Sequence, residues 1–222
     1  MDTRPQVALV TERHVRVRVG ERIDADLNAR VHSLDAWLQS LDLPDRVAQW
    51  PAYAELLIEF RPGLAVAALP SVQQAVATWL SEHSGPVCAA SGPCFEIPVS
   101  MSALDGPDLI ECAAHCGLSP EVWRDRFLAS SFQVALIGFQ PGFPYLLGLD
   151  PTLAVPRRAT PRRSVPAGSV AIAGAQAGIY PAESPGGWQL VGRTTIRLFD
   201  PSREPACLLQ PGQSVRFVTV AP

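Results

Sequence analysis

Between Gly138 and Arg193, glycine and proline recur every few residues, and short apolar runs such as Val165, Val170–Ile172 and Ile179–Tyr180 fill the gaps. Proline fixes φ and removes a donor, and glycine reaches backbone conformations closed to other residues. A chain so punctuated has no room for a long helix. Linkers of similar glycine content lack aromatic and β-branched residues, whereas this stretch carries Phe139, Phe143, Tyr145, Tyr180 and Trp188 and therefore has surface to bury. Shaped loops on a β scaffold are the expected outcome, and such loops are where binding sites tend to sit.

The flanking sequence supports this reading. Strands are predicted at Phe132–Phe139, Ser169–Ala173, Trp188–Val191, Thr195–Phe199, Ala206–Leu209 and Ser214–Val220, a pattern of many short strands that fits a barrel or a sandwich. The N-terminal third reads differently. Val7–Val10 and the alternating Val15–Val19 read as strands, Leu27, Val31, Leu34, Leu38 and Leu41 share a helical face, and Tyr53–Phe60 is another strand. Ser71 with Gln74 three residues on resembles a capping box that opens a second helix. A small α+β domain is expected, with its boundary in the Gly85–Pro93 region.

Composition excludes several functions. The net charge of −3 argues against general nucleic-acid binding. All 18 basic residues are arginine, so neither a phosphate-binding loop with its lysine nor Schiff-base chemistry can reside in this chain. No apolar run approaches the roughly 18 residues of a membrane span, no signal peptide is evident, and five cysteines form no even framework; a cytoplasmic protein is expected. Ala113–Phe127 imitates a helix-turn-helix, but its second helix would begin Pro120-Glu121 and repel phosphates, so two packed helices over a barrel end are expected. Pro107 and Pro120 are each placed at a first helical position. Cys112, His115 and Cys116 lack the further ligand a tetrahedral metal site needs, and no metal is expected. The four histidines, at 14, 32, 83 and 115, all precede the glycine-proline stretch. A Ser-His-Asp or Cys-His catalyst is therefore hard to build there, which points to an incomplete site.

Arg157, Arg158, Arg162 and Arg163 crowd into seven residues braced by Pro156, Pro161 and Pro166. They are either a solvated loop or a rigid grip for a carboxylate or phosphate.

The segments GFQPGFPYL (Gly138–Leu146), TPRR (Thr160–Arg163), VPAGSVAIAG (Val165–Gly174), GIYP (Gly178–Pro181), SPGGWQLVGR (Ser184–Arg193) and PGQSVRF (Pro211–Phe217) resemble the KipI family. This is the group of 5-oxoprolinase B subunits, also called allophanate hydrolase subunit 1. DGPDL (Asp105–Leu109) and AAHCGLS (Ala113–Ser119) fit the same family. The resemblance implies an α+β N-terminal domain (residues 1–88) followed by a mainly-β cyclophilin-like barrel (residues 89–222). It implies one component of an ATP-dependent 5-oxoprolinase, converting 5-oxoproline, ATP and water to glutamate, ADP and phosphate. The partners implied are the KipA-type and LamB/YcsF-type components of that enzyme, and direct contact of ATP with this chain is left open. A KipI-like inhibitor of a sensor histidine kinase and a carboxyltransferase-type subunit related to urea amidolyase are the alternatives. On this reading Arg158 and Arg162 bind an anion, while Gln176 and Tyr180 orient an amide or carboxylate. Gly168, Ser169 and Gly174 supply backbone or hydroxyl donors, and Phe143 and Tyr145 form an apolar wall. The family often reads GxQTG where this chain has Ala177, and often carries a histidine where Phe127 stands.

Overall fold

The computed structural model describes residues 5–83 and 94–220. The chain divides into two compact units, Met1–Ser91 and Gly92–Pro222. The boundary expected after residue 88 lies outside the described residues.

The first unit is a four-stranded antiparallel sheet with two helices. Its strands are β1 (Gln6–Thr11), β2 (His14–Arg18), β3 (Arg46–Pro51) and β4 (Glu55–Phe60), in the order β1-β2-β4-β3. Alternation sorts the faces: Val15, Val17, Leu56, Ile58 and Phe60 are fully buried, whereas Arg16, Arg18, Glu55 and Glu59 lie on the opposite face. Helix α1 (Ala25–Ser40) packs Val31, Leu34 and Leu38 into that core and is capped by Asp24, whose side chain accepts from the Asp26 and Leu27 amides. Its last turn has no basic residue of its own. Arg46 of β3 supplies the charge instead, donating to the carbonyls of Leu38, Gln39 and Leu41. Strand β3 was not predicted, because Pro44 and Pro51 frame a segment whose alternation is weak and which serves as an edge.

Helix α2 (Ala65–Glu82) starts six residues before the predicted capping box, with Leu64 as N-cap and no side-chain cap. Pro70 sits inside it, exposed, and Ser71 is an ordinary exposed helical residue. Burial of Ala65, Val72, Val76 and Trp79 against the sheet outweighs the single backbone bond that proline removes.

The second unit is a seven-stranded, nearly closed barrel-like sheet. Its strands are β5 (Phe95–Val99), β6 (Phe132–Ile137), β7 (Pro144–Leu147), β9 (Ser169–Ala173), β10 (Gln176–Ile179), β12 (Gln189–Arg193) and β13 (Ser214–Thr219). They are ordered β12-β9-β10-β7-β6-β13-β5, antiparallel except for the β5–β13 pair. The two outer strands meet through a reciprocal Ser100–Arg193 backbone pair, both bonds 2.8 Å. Gly192 makes that approach possible: a Cβ there would stand 2.7 Å from Val99 and 2.9 Å from the Ser100 carbonyl. A separate ribbon of β8 (Arg162–Val165) and β11 (Ser184–Gly186) completes the strands.

Ile97, Val134, Leu146, Ile172, Ile179 and Phe217 fill the interior. Two short helices, α3 (Leu109–His115) and α4 (Pro120–Ala129), add Leu109, Cys112, Trp123 and Phe127 to the same core. The helix-turn-helix lookalike is therefore a cover over the barrel core. Pro120 opens α4 as predicted, with Ser119 capping the Val122 amide. Pro107 does not open α3, which begins at Leu109 with Asp108 in the N-cap position. Of the predicted strands, Thr195–Phe199 and Ala206–Leu209 form only one bridge, Phe199 to Cys207, around a turn; Leu198 and Leu209 still bury their side chains. Among the described residues no helix is long and apolar enough to cross a membrane.

Candidate functional site

Of the predicted site residues, Phe143, Tyr145, Arg158, Arg162 and Tyr180 gather about the segment from Gly186 to Leu190, whereas Gly168, Ser169, Gly174 and Gln176 lie elsewhere along β9 and β10. Alternation along β9 and β10 sends Val170, Ile172, Ala177 and Ile179 into the barrel, and Ala171, Ala173 and Tyr180 to the other side of the sheet. There they meet Phe143, Val165, Trp188 and Leu190, with Tyr145 packed against them. Phe143 is the hub of this second cluster, with ring centroids 4.9 Å from Tyr145, 5.2 Å from Tyr180 and 5.7 Å from Trp188. Phe139 stands over it at φ +67, its ring edge-on to Phe143 and Tyr180 and 63% exposed. Burial pushes the phenols of Tyr145 and Tyr180 above the ordinary tyrosine range.

The arginine loop is pinned to this segment at several points. The Arg158 amide donates to the Gly187 carbonyl at 2.8 Å, Arg162 pairs with Gly186 across the ribbon, and Arg157 lies over the Trp188 ring at 5.8 Å. Beneath the loop is a residue that sequence reasoning passed over as a binding group. Asp108 is 3% exposed, and its side chain, at the N-cap position of α3, does not cap the helix. Oδ1 instead accepts from Arg162 Nη2 at 2.6 Å and from Arg158 Nη1 at 3.3 Å. Oδ2 accepts from the Leu190 amide at 2.6 Å, and the Asp108 amide returns a bond to the Leu190 carbonyl at 3.0 Å. Both arginines retain donors. Arg158 Nε and Arg162 Nη1 are buried without a hydrogen-bond partner among the described residues. The signal available in the sequence was the DGPDL segment: its first aspartate, Asp105, is held by the Ser100 and Ser102 hydroxyls, and its second is Asp108.

Tyr180 is 2% exposed, and its hydroxyl takes a hydrogen bond from the Trp188 amide. A Cβ on Gly186 would stand 2.3 Å from that oxygen, so only glycine lets the turn close over the phenol. The hydroxyl thus faces the chain's own backbone, and the direct ligand contact expected of Tyr180 is replaced by support of the turn that carries Trp188.

The donors expected of the glycine loops are likewise engaged within the fold. The Gly168 amide donates to the Tyr180 carbonyl at 2.7 Å, the Gly174 amide to the Val155 carbonyl at 2.7 Å, and the Ser169 amide to the Pro166 carbonyl at 3.3 Å. Gly168 and Ser169 lie at one end of β9 and Gly174 at the other, so they share no single cradle. Gln176 is half-buried and lies on the same side of β10 as Gly178. Ala177 faces the barrel interior, fully buried, so a hydroxyl at that position would point away from the aromatic face. Phe127 is equally buried, stacked between Trp123 and Phe217.

The fold and this site define a class. A family model described as carboxyltransferase domain, subdomain C and D, matches residues 5–209, and the chain belongs to that family. Its relatives narrow the class. The 5-oxoprolinase B subunit of Escherichia coli O157:H7 is 43% identical over 80% of this chain and 80% of that protein. The 5-oxoprolinase B subunit of Bacillus subtilis strain 168 is 36% identical over 100% of this chain and 95% of that one. Within the carboxyltransferase class, the chain is a member of the family of 5-oxoprolinase B subunits.

Among solved structures, TTHA0988 superposes with a TM-score of 0.79 at 36% identity, covering 95% of this chain and 41% of that one. The chain thus spans less than half of TTHA0988. PH0987 of Pyrococcus horikoshii matches over 97% of both chains at 33% identity, with a TM-score of 0.57. The urea carboxylase of Kluyveromyces lactis shares the fold at a TM-score of 0.70 and 20% identity, this chain covering 22% of it.

Proposed function

We propose that the chain is the B subunit of an ATP-dependent 5-oxoprolinase, inactive alone and acting with the KipA-type and LamB/YcsF-type components of that enzyme. The names of its relatives support the activity. One observation carries the role of the site: two arginines held side by side on one buried aspartate, with their own side chains still 34% and 22% exposed. 5-Oxoproline bears a carboxylate next to its lactam ring, and a guanidinium matches a carboxylate with two parallel bonds. Arg158 and Arg162 take the carboxylate. Tyr145 and the exposed Phe139 form the wall on which the flat lactam lies, backed by the buried rings of Phe143 and Trp188, and Gln176 orients the amide.

No histidine lies beyond His115, so the base that activates water is a carboxylate, a tyrosine or a group from a partner protein, and on this reading the partner supplies it and completes the site. ATP supplies the driving force for opening the lactam, but this chain's residues do not fit a phosphate cradle: there is no lysine, and the amides of Gly168 and Gly174 are already donated. We therefore place the nucleotide on the partners. The barrel is read as cyclophilin-like. The cysteines at 94, 112, 116 and 207 are free thiols, in keeping with a cytoplasmic setting.

Mixing the purified components with ATP and 5-oxoproline and measuring glutamate tests the reading. Activity is expected only when this chain is present, and turnover that persists without it removes it from the mechanism. Arg162→Ala and Arg158→Ala are each expected to lower kcat/KM by about tenfold to a hundredfold. A carboxyltransferase role is the second reading, favoured by the family match. It predicts no glutamate and instead carboxyl transfer from a biotin-bearing partner.

A further inference from the structure

We infer that Asp108 is the specificity-determining residue of the arginine site, setting its net charge to +1 so that it takes a monoanionic carboxylate and rejects a dianion. The inference rests on the reading of Arg158 and Arg162 as the anion grip. Both guanidinium groups reach the same oxygen of Asp108, at 3.3 and 2.6 Å, and the Asp108 side chain is 5% exposed. The arginine side chains are only 34% and 22% exposed, so the cluster is shielded enough for its charge to matter. Arg157 and Arg163 are exposed, and solvent screens them. Two cations against one fixed anion leave a single positive charge to be matched.

The geometry adds to the arithmetic. With both carboxylate oxygens occupied, by the arginines and by the Leu190 amide, Asp108 cannot swing away to release more positive charge. It touches no ligand itself; it fixes where the two part-exposed guanidinium groups sit. One carboxylate matches the single positive charge without overcompensating the cluster. A sulfate or phosphate dianion brings a second negative charge close to a buried carboxylate, which is repelled.

The test uses the assembled complex, with 5-oxoproline as substrate and sulfate as a competing dianion at constant ionic strength. In the native complex sulfate is expected to inhibit weakly. Asp108→Asn keeps the acceptor for the Leu190 amide but removes the charge. It is expected to lower the KM for 5-oxoproline about threefold and to tighten inhibition by sulfate about tenfold, so that the preference shifts toward the dianion. A merely structural role would lower the melting temperature without changing the preference between the anions. Asp108→Glu keeps the charge and is expected to retain the preference even where it destabilises the fold. This variant decides the matter if D108N does not assemble: loss of discrimination in D108E overturns the inference. So does a D108N complex whose KM and sulfate inhibition match the native values while Arg162→Ala impairs turnover. If Arg162→Ala leaves the KM unchanged, the anion-grip reading itself has failed.

Discussion

Arginine–carboxylate pairs occur in both units of this molecule, and they differ in kind. On the open sheet face of the first unit, Arg18 and Arg16 reach Glu55, and Arg13 reaches Glu59, with side chains between 14% and 42% exposed. Such pairs gain little, because water screens them and long side chains must be ordered. In the barrel unit, Asp108 is buried beneath two arginines and also bonded to the backbone. Losing it strands cations without their counter-charge. The first arrangement decorates a stable sheet. The second fixes a positive group in place, at a cost in desolvation that folding alone would not select.

The comparison can be broken at several levels. The largest effects belong to the two cores, where Trp79→Ala and Trp123→Ala, both fully buried, are each expected to cost about 3–5 kcal/mol in denaturant unfolding. Nearly equal values would show that the units differ in their charges and not in the quality of their packing. Asp108→Ala should follow at about 3 kcal/mol. Glu55→Ala should cost under about 1 kcal/mol by the same measurement, and parity between the two would erase the distinction. Gly186→Ala is expected to cost about 1–3 kcal/mol by driving a methyl group into the Tyr180 phenol, with loss of the near-ultraviolet circular dichroism of that aromatic cluster. The smallest effect is chemical. Burial, aided by Asp108, pushes the Cys112 thiol up to about 12, so at pH 8 it stays protonated; iodoacetamide should label the exposed Cys94 and spare Cys112 in a peptide mass map.

How much of this was legible depended on what enforced each element. Helix α1 was readable because its apolar spacing and Asp24 cap agree. Helix α2 was misplaced at its start, because Ser71 and Gln74 carry a capping signature that tertiary burial of Ala65 overrides. Strand β3 was missed between two prolines. The turns of the barrel unit announced themselves through glycine and proline, yet β7, β8, β10 and β11 are too short to show a period. At the site, the arginines could be named from their crowding. Asp108 could not, since its partners lie 50 and 54 residues away and no local pattern records them. The glycines were read as donors to a ligand because a sequence shows that an amide exists and not which carbonyl already holds it.

The Ser100–Arg193 pair has a mechanical consequence. A cylinder of strands fastened by a single rung between β5 and β12, among the described residues, has a seam, whereas the other junctions around it are ladders. Thermal breathing is expected to part the wall there, leaving the Asp108–Leu190 bonds as the tie between β12 and the segment that follows β5.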